Sequence, residues 1–198
     1  PNIIQFNKSK CTIKGTVKNN NITSKLGVIV TPDSKKIMIN QTDIKKVADY
    51  ISNLNVIVFT PDDLDIIKSS PNIRRNLLNI QLSQISKVYL NTYNEYNKIL
   101  KTRNEYLKIL FSSSVADKNY LDIITDRLIE KAVIIYKKRE EYLNLVNEKI
   151  DYYFREISNT SGLKIIYSPN VSFQKYDILE MKNTLKNVFE KNYYVSIK

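Results

Sequence analysis

Residues 60–75, TPDDLDIIKSSPNIRR, place Thr60, three aspartates and an arginine pair within one short stretch. Asp62, Asp63 and Asp65 follow Thr60-Pro61, an N-cap with proline at the first helical position. Carboxylates there complement the positive end of a helix, the commoner use of such a cluster; the other is to hold a metal. Ser70-Pro71 starts a second helix, and Arg74 and Arg75 follow in its first turn. A guanidinium presents a planar fork of donors that fits a carboxylate or a phosphate. At ~100° per residue, Ile73, Leu77 and Ile80 form an apolar face with Leu78 to its side. Arg74 then projects between Leu77 and Leu78, where an arginine snorkels or pairs with an acid such as Asp63. Arg75 points past that edge, toward phosphate or solvent. Lys137 and Lys138, in KKREE at 137–141, belong either to a solvated helix face or to a ridge that tracks DNA.

Composition narrows the chemistry. The 198 residues carry 31 Lys+Arg against 20 Asp+Glu, a formal charge of +11. A surplus of that size favours polyanionic partners, nucleic acid before membrane, although a lysine-rich composition alone also inflates it. No histidine occurs, which removes the usual general base and any Ser-His triad. The three glycines, Gly15, Gly27 and Gly162, lie in no phosphate-cradling loop, neither G-x-x-x-x-G-K-[ST] nor G-x-G-x-x-G. Neither catalysis nor a nucleotide, metal or other cofactor is therefore expected of this chain by itself. The single cysteine, Cys11, forms no internal disulfide and reads as a small buried hydrophobe; a reducing cytosol is the natural setting. No apolar run reaches the ~20 residues of a membrane span, so no membrane partner is expected. A chain that starts at Pro1 reads as an excised piece of something longer.

The elements that position these groups follow from periodicity. Residues 10–18 alternate with period two, a half-exposed strand with Cys11, Ile13, Gly15 and Val17 inward. A turn at 19–21, strands at 26–30 and 35–40, and a turn at 31–34 complete an antiparallel meander. Asp43 is placed to cap a short helix. The run VIVF at 56–59 is apolar at every position and reads as a strand covered on both faces. From 71 onward the pattern is helical. Leu82, Ile85, Tyr89, Tyr96, Leu100, Leu107 and Leu110 recur at three- and four-residue steps. After a loop at 112–119 come Leu121, Ile124, Leu128, Ala132, Ile135, Tyr142, Val146, Ile150, Tyr153 and Ile157. Two long antiparallel helices over about 84–158 are expected, packed like a coiled-coil hairpin, with Arg103 and Arg139 at seam positions. TSG at 160–162 stops the second helix, 163–167 reads as a short strand, and 177–193 as a helix. The expected fold class is α+β: a β-rich part over 1–60, then a mainly helical part over 61–198, in one continuous body. The tyrosines fall mostly on helical seams, so packing outweighs base stacking.

The segment VIVFTPDDLDIIKSSPNIRRNLLN resembles the signature segment of the RecF family of bacterial recombination and gap-repair proteins. That family shows a strand, then Ser/Thr-Pro-x-Asp-Leu, then Gly-Ser-Pro-x-x-Arg-Arg closing in Phe-Leu-Asp. Pro61, Asp63, Leu64, Ser70, Pro71, Arg74, Arg75 and Leu78 match. The likeness continues through 84–108 with Arg103-Asn104, and beyond 54–110 it holds in order of elements only. Ser69 replaces the usual glycine, Leu77 the aromatic and Asn79 the acid.

The resemblance implies an ATPase of the ABC type, related to SMC heads, whose Walker A, signature and Walker B motifs are not in this chain. The chain would then carry part of the first lobe and the helical second lobe. The intact protein would be a weak ATPase that binds ATP and Mg and dimerises on ATP. It would sit on single-strand/double-strand DNA junctions with a RecR-type partner, help to load RecA, and act in the bacterial cytoplasm. Thr60 and Asp63 would lie near nucleotide. Arg74, Asp62, Asp63 and Arg103 would serve structure or lobe coupling, and Arg75, Lys137 and Lys138 would contact DNA. The competing reading is a non-enzymatic helical interaction module that touches no DNA.

Overall fold

A computed structural model of the chain describes residues 3–19, 22–51, 53–58, 60–112 and 117–192. They form two compact units, Pro1–Lys87 and Val88–Lys198, where the sequence suggests one continuous body. The architecture is an antiparallel meander followed by a mainly helical region, the expected α+β class. Among the described residues no helix is long and apolar enough to cross a membrane.

In the first unit the strands are β1 (Cys11–Asn19), β2 (Ile22–Val30), β3 (Lys35–Ile39) and β4 (Thr42–Ile44), in spatial order β1-β2-β3-β4. Cys11 stands opposite Val30, and Val28 stands between Ile13 and Ile37. The β2–β3 turn closes where proline was expected to set it: the Thr31 N–H donates to Ser34 O (2.9 Å) and the Ser34 N–H to Thr31 Oγ1 (3.0 Å). The β3–β4 turn uses Asn40 and Gln41, both at positive φ (50° and 69°), the backbone of a two-residue primed turn. Asn40 tolerates that conformation, and its Oδ1 accepts the Lys25 N–H at 2.8 Å. Leu26, Val30 and Ile37 are the buried apolar residues of the sheet, whereas β1 is largely exposed and Cys11 only half-buried. The turn expected at 19–21 lies in part outside the described residues.

Several expectations fail in this unit. Asp43 belongs to β4, and the helix α1 begins later, at Val47–Ile51. Residues 56–58 form no strand and are exposed, Ile57 at 85%. A strand needs a neighbour for its backbone donors and acceptors, and the meander stops at β4. Phe59 lies outside the described residues. A 3₁₀ turn over Pro61–Leu64 runs into α2 (Asp65–Lys68), and α3 (Pro71–Ile85) follows. The buried side of α3 is Leu78, Asn79 and Leu82, while Ile73, Leu77 and Ile80 are exposed.

The second unit contains nearly all of α4 (Lys87–Ser112), and α5 (Lys118–Ser158) and α6 (Ile178–Lys191). At 1.5 Å per residue, α5 is roughly 60 Å long. Asp117 caps it through the Asn119 N–H, and it ends with Asn159 in the left-handed region (φ 54°). The helices α4 and α5 are antiparallel, in a register fixed by four cross-helix pairs. Tyr89 meets Arg139, Glu95 meets Lys131 (2.6 Å), Arg103 meets Thr125 (2.9 Å), and Tyr106 meets Tyr120 edge-on at 4.6 Å. Each step forward along α4 is matched by a step back along α5.

Leu121, Ile124, Leu128, Ala132 and Ile135 are buried as the periodicity requires, and Leu100 and Val146 are half-buried. The stripe fails at its C-terminal end: Tyr153 and Ile157 are exposed, the latter at 84%. Helix α6, capped by Asp177, closes a core of Ile129, Ala132, Val133, Met181 and Leu185. Tyr96, Tyr136, Phe173 and Tyr176 pack around that core. The segment 163–167 is not a strand. Side chains of α5 bond its backbone at Ile165 and Leu163: Asn147 Nδ2 donates to Ile165 O (2.8 Å) and the Ile165 N–H to Asn147 Oδ1 (2.9 Å). Asp151 Oδ1 accepts from Gly162 (2.6 Å) and Leu163 (2.9 Å).

Candidate functional site

The Thr60–Asp63 loop is closed on itself. Asp63 Oδ2 accepts from the Thr60 N–H (2.5 Å) and from Thr60 Oγ1 (3.3 Å), and the Asp63 N–H donates back to Thr60 O (3.0 Å). The carboxylate therefore holds the start of the 3₁₀ turn, as an N-terminal acid does in a capping box. Asp62 stands inside the same turn.

Arg74 and Arg75 diverge. Arg74 Nη1 donates to Ile66 O (2.9 Å) and Ser69 O (3.1 Å), so its partners are backbone carbonyls at the end of α2 and not Asp63. This is the physical use of a cation at a helix C-terminus. Ser70 has the extended backbone of an N-cap, but its side chain makes no capping bond, and Pro71 starts α3. Arg75 folds back over its own first turn, with Nε donating to Pro71 O (3.3 Å) and Nη2 to Asn72 Oδ1 (2.9 Å). Its guanidinium is exposed there.

Lys137 and Lys138 lie on α5 and are half-buried. Lys138 pairs with Glu141 within the helix (2.8 Å). Asp177 has its carboxyl held below the usual range, first by the Glu180 and Leu179 N–H groups and more weakly by the charge of Lys137. Asp151 is likewise lowered, by the N–H groups of Gly162 and Leu163.

Both seam arginines are held by hydroxyls and rings. Arg103 is 5% exposed; its Nε donates to Thr125 Oγ1 and its guanidinium carbon lies 4.7 Å from the Phe189 ring centre. Arg139 Nε donates to the Tyr89 hydroxyl at 3.1 Å. Burial raises the pKa of the Tyr89, Tyr96 and Tyr167 phenols, and the charge of Arg139 opposes the rise in each. Tyr167 is raised furthest; its hydroxyl is buried with no well-aligned hydrogen bond, the Arg139 charge beside it notwithstanding.

The sequence pattern does not disclose the Asn147 and Asp151 clamp. Two short polar side chains at i, i+4 on α5, ahead of a helix stop and an apolar run, are the signal that was available. Tyr167 was hidden inside the strand assignment.

No family model matches the chain. It is 33% identical over 190 residues to a Bacillus mycoides (strain KBAB4) protein described as DNA replication and repair protein RecF, covering 95% of this chain and 51% of that protein. Proteins of the same description from Oceanobacillus iheyensis and Halalkalibacterium halodurans are 35% and 38% identical over 170 residues, each covering 85% of this chain and 46% of the relative. The chain thus spans about half the length of the curated relatives it matches. It superposes with TM-score 0.89 and 26% identity on a solved structure of the recombination mediator protein RecF–ATPrS in the RecFOR pathway, over 98% of this chain and 53% of the other. For RecF–ATP of the same pathway the TM-score is 0.88.

Proposed function

From the homology of this chain to the RecF family of bacterial DNA recombination and repair proteins, we propose that it is the DNA- and partner-binding, lobe-coupling portion of a RecF-type recombination mediator. The observation that carries the reading is a match running through both compact units, 190 residues at 33% identity, together with the superposition over 98% of the chain. On this reading residues 1–60 belong to the first lobe and 61–198 to the second. The intact protein binds ATP with Mg, hydrolyses it weakly through motifs outside this sequence, and dimerises on it. It acts on DNA at single-strand gaps with a RecR-type partner and, indirectly, RecA, in the cytoplasm.

Within this portion, Thr60 and Asp63 sit near nucleotide and pass its state to the helical lobe. The closed Thr60–Asp63 turn and the Arg74 clamp on the end of α2 support that role: together they tie the loop to the start of α3, so displacement at one end is felt at the other. Asp62 and Arg103 act with them as structural or coupling residues. Arg75, Lys137 and Lys138 are the DNA contacts. Arg75 is supported by its exposure and by partners that a phosphate can replace, a carbonyl and an amide oxygen.

Binding of the full-length protein to a gapped duplex, followed by fluorescence anisotropy with ATPγS and Mg²⁺ at several salt concentrations, tests the reading. Nucleotide-dependent binding whose log affinity falls linearly with log salt is expected. Absence of binding to the gapped duplex at every salt concentration, with or without nucleotide, would assign the chain to the interaction module that touches no DNA.

A further inference from the structure

The helical unit contains a cleft of about 370 Å³ lined by residues of α4, α5 and α6. Arg103 stands in its wall, with nine-tenths of its surface and more removed from water. A guanidinium has five N–H donors. One, on Nε, is used by Thr125, and the face of the group rests on Phe189. Among the described residues the two Nη groups donate to nothing, and no carboxylate forms an ion pair with Arg103. The Nη atoms are not sealed from water, so their donors stay available to a ligand, and the flat fork is matched by an anion that accepts two parallel bonds. Burial works to lower the Arg103 pKa.

The rest of the lining decides which anion. Lys118 and Lys186 add positive charge, while Asp122, Asp126 and Glu190 bring as much negative charge as the three cations bring positive. A balanced lining offers no surplus of positive charge to hold a phosphate dianion or a DNA strand, whereas a single carboxylate needs only the one fork of Arg103. Leu121, Ile129 and Phe189 supply an apolar wall. A volume of this size admits a few side chains.

We propose that this cleft binds one carboxylate of a partner polypeptide, an acidic side chain beside an apolar one. Arg103 supplies paired Nη–H donors to the carboxylate oxygens, and the apolar neighbour lies against Phe189 and Ile129. Thr125 and the Phe189 ring fix the plane of the guanidinium, so the fork is set before the ligand arrives.

The test uses ¹⁵N spectra of arginine Nε–H groups in the intact protein. Three probes are titrated: N-acetyl-Leu-Glu-amide, its isostere N-acetyl-Leu-Gln-amide, and inorganic phosphate. Arg103→Lys removes one resonance and so identifies it; should that variant fail to fold, Thr125→Val moves the same resonance and leaves Arg103 in place. The Glu peptide is expected to shift the Arg103 signal saturably, with the Gln peptide weaker by about tenfold or more, the loss expected when a charge-assisted pair becomes a neutral one. In a folded Arg103→Lys protein the Glu peptide should bind about tenfold more weakly, since lysine keeps the charge without the fork. An absent shift, an equal response to both peptides, or tighter binding of phosphate than of the Glu peptide each overturns the proposal.

Discussion

The Nε–H of Arg139, halfway along α5, donates to the hydroxyl of Tyr89, near the start of α4, at 3.1 Å. Tyr89 is completely buried, so this bond is made in the interior of the helical unit and joins positions far apart in the chain. A positive charge is thereby held in a core by phenol and aromatic groups.

Removing the acceptor exposes what the pair contributes. Tyr89→Phe keeps the ring, which stacks on Tyr93 at 6.0 Å, and deletes only the oxygen. It should cost about 1–3 kcal/mol, because a largely buried cationic donor loses an acceptor. The urea midpoint of the variant, with an unchanged slope, is the readout; a midpoint equal to that of the parent would mean Arg139 finds another partner at no cost.

Alkali should unfold the helical unit through its phenols. Tyr89, Tyr96 and Tyr167 hold their protons more tightly when folded, their pKa values raised above the ordinary 10.0. Their contribution is complete below pH 10 and is lost as pH climbs from there through the folded values, because the unfolded chain ionises first. Stability should therefore be flat through neutral pH and fall above pH 10, with up to one proton released per tyrosine. Tyr167→Phe should make that fall shallower, as read from denaturant midpoints across the alkaline range.

The neighbouring arginines should separate by assay. Arg74→Ala frees the carbonyls of Ile66 and Ser69 and should lower the melting temperature of the full-length protein. Since Arg74 is exposed, the loss is modest, about 0.5–1.5 kcal/mol. Arg75→Ala should leave melting unchanged and, on the proposed DNA role, reduce the log–log salt slope of DNA binding by roughly one unit. Early melting of Arg75→Ala with normal DNA binding would reverse the assignment.

The α4–α5 seam should grade mutations by position and not by residue type. Leu128→Ala, at a buried position, should cost about 2–5 kcal/mol. Ile157→Asp, at the exposed end of the same apolar stripe, should stay within about 0.5 kcal/mol of the parent. Leu100→Asp and Val146→Asp fall between, being half-buried. Circular-dichroism melts of the four variants order them, and a large loss for Ile157→Asp would show a partner covering that end.

The meander and the helix pair were legible because each carries its own pattern. Alternation marks β1, a proline-containing turn separates β2 from β3, and a sustained three-four rhythm ties Leu121 to Ile150. Burial was less legible where the pattern outlived its partner. Tyr153 and Ile157 continue the rhythm beyond the last residue of α5 that faces α4. Val56–Val58 have strand composition without an adjacent strand among the described residues. Leu163–Tyr167 has it too, but it is held to α5 by side chains, Asp151 bonding Leu163 and Asn147 bonding Ile165, and not by a neighbouring strand. The position of Arg74 in its helix was readable, yet its carbonyl partners were not, since they depend on where α2 happens to end.

The four cross-helix pairs also set an order of events. Tyr106 and Tyr120 are the nearest in sequence, Tyr89 and Arg139 the farthest, with the Arg103 and Glu95 contacts between. The entropy lost in closing a loop grows with its length, so the aromatic pair beside the hairpin tip is the least costly first contact. Once it forms, each remaining pair needs only a short additional closure, and the two helices zip from tip to base. Loop closure alone therefore ranks the four contacts from tip to base, a local-contact topology of the kind that folds fast, with the buried Tyr89–Arg139 bond the costliest of the four to form first.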